Sequence, residues 1–280
     1  MNSFAIQLSN ELYKLFARKR AYLGFGAIIV VEGVILWVLN RASSRAQLRQ
    51  LIEQRGLSFA HYDSGLTIGL AMMIWTSLIL GALFLALIAG DVVAKEVEDG
   101  ALRMLLCRPV SRARVIALKY SACVVYTFVL VFFLGATALA AGTLCRGVGS
   151  LFVSSSAEQL FAVCEAREGL ARYFLAMPFL ALSLTSVSSV GFMFSCLKMK
   201  PAAATIATVS VVFIDSTFRQ IPYFEGLRPL FFSTHLAGWI QLFATPIPWA
   251  RLGQDYTYLL AVDAVCFLFA LLVFQRRDFK

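Results

Sequence analysis

The chain has 280 residues, 60% of them apolar, 15% charged and 13% aromatic, and 25 Lys and Arg against 16 Asp and Glu give a formal net charge of +9. Soluble domains carry roughly a quarter charged residues, so this deficit, together with long uncharged runs, excludes an ordinary soluble globule and a disordered tail. The chain reads as a membrane protein, and its six cysteines include no C-x-x-C pair that would suggest a metal framework.

Residues 1–20 form the first unit. Phe4, Leu8, Leu12, Leu15 and Phe16 recur at helical spacing, with Gln7, Asn10, Lys14 and Arg18 on other faces, which predicts an amphipathic helix lying in the headgroup region. No small-x-small cleavage site closely follows the next apolar run, which is too long for a signal peptide, so the segment is expected to be retained. Arg18, Lys19 and Arg20 stand beside the first span and favour the cytoplasmic side for the N-terminus.

A membrane-crossing helix needs about 20 mostly apolar residues. Six stretches qualify: Ala21 to Leu39, Leu66 to Ala89, Ile116 to Leu144, Leu175 to Leu197, Pro201 to about Thr217 and Tyr256 to Phe274. Asp215 interrupts the fifth near its far end. Open strands could not satisfy their backbone groups in lipid, and no alternating ten-residue pattern suggests a barrel. The fold class is therefore all-α: a polytopic membrane protein with six spans and both termini in the cytoplasm. Every Lys then lies inside, although Arg41, Arg45, Arg49 and Arg55 crowd the first outer loop.

The outer loops carry structure of their own. Ser43 to Arg55 places Leu48, Leu51 and Ile52 on one helical face before Gly56. The outer loop 145–174 is expected to hold a short helix with Leu160, Phe161 and Cys164 on one face. Residues 218–255 are read as an outer or interfacial segment, because the uncharged run from Pro229 to Phe243 is too short to cross.

Between the second and third spans stands GDVVAKEVEDGALRMLLCRPVSRARVIALKY, Gly90 to Tyr120. Glu96, Glu98 and Asp99 precede Gly100 and the run ALRMLL, so the acids are expected at a helix N-terminus, with Arg103 and Arg108 toward the C-terminal end. Pro109 stops that helix and Ser111 can cap the next. By composition alone the segment reads equally as a solvated loop.

These positions resemble the ABC-2-type permease family, the membrane subunits of one class of ATP-binding-cassette transporters. Members tend to show acidic-x-x-Ala-x-Glu-x-acidic-x-Gly-Thr-Leu, a Leu pair, Pro-Val-Ser-Arg and a following Lys. Here these fall on Asp91, Ala94, Glu96, Glu98, Gly100, Leu102, Leu105, Leu106, Pro109, Val110, Ser111, Arg112 and Lys119, with Ala101 where Thr is usual. The amphipathic first helix, the six spans and the terminal FQRRDF also look like the family, so the likeness covers residues 1–280 as one permease domain. The resemblance implies that the coupling segment 91–112 docks on a separate cytoplasmic ATPase, with Asp91, Glu96, Glu98, Asp99, Gly100, Leu105, Arg108, Pro109 and Arg112 as the coupling residues. Replacing Glu96 and Glu98 by Lys is expected to leave folding intact and detach the ATPase.

The chain has no G-x-x-x-x-G-K-[ST] loop, so it is not expected to be an enzyme or to hold a cofactor of its own. The resemblance implies two ATPase subunits, which bind ATP and Mg, two copies of this chain, the bacterial inner membrane, and export; the mostly apolar spans, with few fixed charges, are compatible with a hydrophobic or amphiphilic cargo. It implies no nucleic-acid partner.

Several buried polar groups are candidates for a transport path. Glu32 lies mid-way along the first span and Asp263 nearer the outer end of the sixth, where a carboxyl should face protein or water. Ser183, Thr185, Ser186, Ser188 and Ser189 make a polar stripe on the fourth span, with Ser186 and Ser189 the chosen path residues; interhelical packing explains the stripe at least as well. Cys145 and Cys164 share an outer loop and are candidate disulfide partners. His61 and His235 lack a metal-site pattern. Two other readings stay open: an intramembrane enzyme in which Glu32, Asp263 and His235 converge, and a force-transmitting anchor that couples an ATPase to an extracytoplasmic partner.

Overall fold

A computed structural model describes residues 3–53, 62–102, 111–155 and 160–277. Ser3–Ala17 is the amphipathic helix α1. Six longer helices have the length and composition to cross a membrane: α2 (Lys19–Leu39), α4 (Gly65–Glu98), α5 (Arg112–Arg146), α6 (Ala166–Cys196), α7 (Pro201–Gln220) and α9 (Trp249–Arg276). The short helices α3 (Ala42–Glu53) and α8 (Phe232–Leu236) lie between them. The chain is thus an all-α polytopic membrane protein, as the apolar runs predict.

The spans have two ends. The near end gathers α1, the start of α2, the end of α4, the start of α5, and the ends of α6 and α9; the far end gathers Asn40, Asp63 and residues 146–165 and 221–249. α6 is the central helix, packed against α4, α5, α7 and α9, and most of it is buried. By contrast, α2 and α7 bury only narrow faces and expose apolar side chains such as Val30, Trp37, Ile206 and Phe213. Exposed apolar faces of this breadth are stable only in lipid or against another apolar surface.

Close backbone approach explains one glycine pair. A Cβ on Gly142 would stand 2.3 Å from the Gly65 carbonyl oxygen, and one on Gly65 would stand 2.6 Å from Thr143 Cα. The Gly65 and Gly69 pair therefore seats α4 on α5 of the same chain. Within α4, Ser77–Gly81 widens to a single π turn, the kind of local bulge that shifts which side chains face a neighbouring helix.

The loop after α5 differs from expectation. Leu151–Ser155 and Leu160–Cys164 are strands β1 and β2, antiparallel, with Leu151 opposite Cys164 and Val153 opposite Ala162. The expected short helix over Leu160, Phe161 and Cys164 is replaced by a hairpin because burial alternates along LFAVC with a period of two. The hairpin is fastened to the start of α4: Ser64 Oγ donates to the Ser150 carbonyl at 2.6 Å, and the Phe152 N–H donates to Thr67 Oγ1 at 3.0 Å.

Other bounds also shift. α9 begins at Trp249, seven residues before the expected Tyr256, so Asp263 falls mid-helix instead of near an outer end. The segment after α2 is helical over Ala42–Glu53; Gly56 and His61 lie outside the described residues. Residues 222–243 form two 3-10 turns flanking α8.

Candidate functional site

Among the described residues, the densest charge cluster sits at the near end, where α1, α4 and α5 meet. Lys119 on α5 is 1% exposed, with its Nζ 3.0 Å from Glu11 Oε2 on α1 and 2.6 Å from Glu96 Oε2 on α4. Glu96 Oε1 also faces Arg18 Nη2 at 3.5 Å, and Glu11 Oε1 pairs with Lys14 at 2.7 Å. One turn earlier on α4, the buried Asp91 accepts from Arg20 at 2.8 Å. An ammonium buried to this degree is tolerated only with carboxylates in contact, and here two carboxylates on two helices meet that need.

The sequence places these groups by simple periodicity. Glu11 and Leu15 lie one helical turn apart on α1, which turns the carboxylate and the buried leucine toward α5. Asp91 and Glu96, five residues apart, both turn inward on α4. Burial by itself would raise the Glu11 carboxyl, but the Lys119 and Lys14 ammonium groups outweigh it and hold Glu11 below its ordinary range. Glu11, Lys14, Arg18, Glu96 and Lys119 also line a narrow cleft floored by Leu15, Val92 and Ala122.

The residues expected to couple divide into two groups. Glu96 and Asp91 are internal, engaged by cations of the same chain, so Glu96→Lys would set a second ammonium against Lys119 and cannot leave folding untouched. Glu98 and Asp99 are exposed and share Lys95, at 3.3 and 3.4 Å. Glu96, Glu98 and Asp99 belong to the last turn and C-cap of α4, and helix resumes only after them at residues 101–102. The pairing with Lys95 offsets the unfavourable placement of acids at a helix C-terminus.

Gly100 then ends α4. Its φ of +72° is left-handed, and its N–H donates to the Val97 carbonyl at 3.2 Å, the usual exit by which glycine terminates a helix. Residues 101–102 are helical again, with Leu102 fully buried. Leu105, Arg108 and Pro109 lie outside the described residues. Arg112, at the start of α5, donates to the carbonyls of Gln275 and Arg277 at 2.8 and 3.0 Å, while Arg277 donates to those of Cys196 and Leu197. Ser111 caps α5 by accepting from the Arg114 N–H, as its position predicts. Ser195 Oγ accepts from the N–H groups of Val93 and Ala94, which joins α6 to the same assembly.

The candidate path residues do not form one group. Asp263 faces Ser186 and Ser189, and Ser189 meets the Tyr120 hydroxyl at 2.8 Å, so these residues share one buried polar layer of α5, α6 and α9. Glu32 lies elsewhere, buried beside Thr137 of α5 and Tyr173 of α6. The rest of the stripe bridges helices, with Ser183 meeting Tyr256 and Ser188 meeting Thr127, each at 3.0 Å. His235 is engaged by Asp255 at the far end. The convergence that an intramembrane enzyme would require is therefore not formed.

Cys145 and Cys164, the candidate disulfide partners, are unbonded in this structure. Cys145 is exposed on the last turn of α5, whereas Cys164 ends β2 facing inward and is buried. Burial raises the Cys164 thiol, which disfavours its reactive thiolate.

Sequence reasoning missed the junction itself. A single lysine inside the apolar stretch around IALKYSACVV was its signal, since a cation in such surroundings requires acids from other helices.

The family model described as ABC-2 family transporter protein matches residues 7–216, which spans α1, the first four membrane-crossing helices and most of the fifth. No curated protein matches the sequence. The chain belongs to the ABC-2 transporter family and is a multi-pass transmembrane subunit of an ABC transporter.

Proposed function

We propose that the chain is the membrane subunit of an ATP-driven exporter, with its near end in the cytoplasm of a bacterial cell and two copies paired with two separate ATPase subunits. ATP and Mg bind to that partner. The observation that carries the reading is the Lys119 junction directly behind the exposed acids Glu98 and Asp99. A partner that engages the two acids pushes on the end of α4, and the junction makes α1, α4 and α5 respond together. Closure of the ATPases is thereby passed to the bundle as the movement of a block, without bending a loose loop.

The physics of the arrangement fits. Exposed two-signed charge at Lys95, Glu98 and Asp99 suits a partner surface and sets its register. Broad apolar faces on α2 and α7 suit a second copy and a hydrophobic or amphiphilic cargo, because a strongly hydrophilic cargo would lose its hydration along such walls.

The test uses Glu98→Lys combined with Asp99→Lys, beside Glu96→Gln as a structural control. The double variant is expected to reach the membrane with normal thermal stability, yet to lose co-purification with the ATPase and stimulated ATP turnover. Unchanged association together with unchanged turnover would overturn the assignment. Movement of an amphiphile in liposomes carrying the complex then separates export from force transmission to an extracytoplasmic partner.

A further inference from the structure

Among the ionisable contacts of the far end, which have no part in the proposed coupling, one contains a histidine. His235 of α8 places Nδ1 2.7 Å from Asp255 Oδ1 on α9 and Nε2 2.9 Å from the Pro229 carbonyl oxygen. Its ring stacks on Tyr258 with centroids 4.1 Å apart, and the Tyr258 hydroxyl donates to the Leu230 carbonyl at 3.0 Å. A Cβ on Gly238 would lie 2.8 Å from Asp255 Oδ2, so the backbone of the segment closes over the same carboxylate.

The chemistry of the two partners fixes what the ring must be. An ionised carboxylate and a peptide carbonyl are both acceptors, and a neutral imidazole has only one N–H. Only the imidazolium donates to both. We infer that doubly protonated His235 is a pH-sensitive latch that fastens residues 222–243 to α9 at the far end. When the ring loses a proton, one of its two contacts becomes acceptor against acceptor, and the charge–charge attraction to Asp255 is lost even where a single N–H still reaches the carboxylate. The latch is therefore closed while the ring carries both protons and loosens as the solution is made alkaline.

The surrounding charges do not duplicate this behaviour. On α7, Asp215 accepts from the N–H groups of Phe232 and Ser233, and Arg219 donates to the Ser233 carbonyl. Within the segment, Arg228 pairs with Glu225 at 3.1 Å. On α6, Arg172 pairs with Glu168 and donates to the carbonyls of Leu242 and Ala244. On α9, the facing groups are Asp255 and Tyr258. Of these residue types, His alone ordinarily changes charge between about pH 5 and 8. If the far end faces outward, as proposed above, the latch reports external pH at the exit side of the bundle; the latch itself does not depend on that orientation.

Trp239, three per cent exposed in the latched segment, is the probe. In purified protein with Trp37, Trp75 and Trp249 replaced by Phe, acrylamide quenching of Trp239 is expected to rise about threefold between about pH 6 and pH 8.5 as the closed population falls. His235→Gln should abolish the pH dependence. Asp255→Asn, which keeps the imidazole and the Pro229 carbonyl, should shrink it, and it serves if the Gln variant does not fold. Quenching that stays flat with His235 present overturns the inference, as does a transition that survives unchanged in His235→Gln or in Asp255→Asn.

Discussion

The two ends of the bundle are held together by different chemistry. At the near end, charged side chains on separate helices meet one another: Lys119 with Glu11 and Glu96, Arg18 with Glu96, Arg20 with Asp91. The far end has ion pairs of its own, Arg146 with Asp63 and His235 with Asp255, but more of its contacts run from side chain to backbone. Asp215 accepts from Phe232 and Ser233 N–H groups, Arg172 donates to the Leu242 and Ala244 carbonyls, and Ser64 donates to that of Ser150. The contrast separates two mechanical behaviours. A shared buried cation couples three helices, since the departure of α1 or α4 takes away one of its two carboxylates and that of α5 takes away the cation itself, whereas a side chain that caps a loop holds only that loop, which can open locally.

The sharpest way to break this comparison is to remove the shared cation. Lys119→Met leaves Glu11 and Glu96 facing each other without it, and should cost about 3–5 kcal/mol, read as a lower unfolding midpoint in detergent. A loss under about 1 kcal/mol would mean that the near end is no more coupled than the far end. Gly142→Ala is expected to cost somewhat less, about 1–3 kcal/mol, because the added methyl overlaps the Gly65 backbone and pushes α4 from α5.

Asp215→Ala should act locally. Two backbone N–H groups lose their acceptor at about 1–3 kcal/mol, so hydrogen exchange over residues 231–243 should speed about tenfold while residues 91–99 keep their protection. Equal acceleration at both ends would erase the distinction.

Acidity sharpens it further, with a smaller effect. Glu11 is held below its ordinary range, so its contribution to stability is present above the value it has in the unfolded chain. That contribution disappears as pH falls through its lower folded value. Near-end protection should therefore persist through neutral and mildly acidic solution and decline only in strong acid, which hydrogen exchange of α1 corrected for intrinsic rates would detect.

Much of the architecture was legible in the sequence because twenty-residue apolar runs leave few alternatives in lipid. Helix ends were less legible. α9 begins with the polar turn WARLGQD, which hydropathy alone assigns to a loop, and this displaced Asp263 in the expectation. The hairpin was mistaken for a helix because Leu160, Phe161 and Cys164 satisfy a helical spacing while Ala162 and Cys164 satisfy the strand period that burial obeys. The acids before Gly100 were identified as a group, but whether each faces inward or outward is decided by partners more than seventy residues away, at Arg18 and Arg20. Asp215 similarly read as an interruption, although it caps a segment 17 residues later in the chain.

The central claim is that the exposed end of α4 meets a separate ATPase on the cytoplasmic side. The most direct measurement is photo-crosslinking in cells from a benzophenone amino acid at position 98, with a matching probe at exposed Tyr223 on the far end as control. The account predicts an adduct to an ATPase subunit from position 98 and none from position 223. An adduct from position 223 alone, or labelling of position 98 by a reagent that cannot cross the membrane, would contradict it.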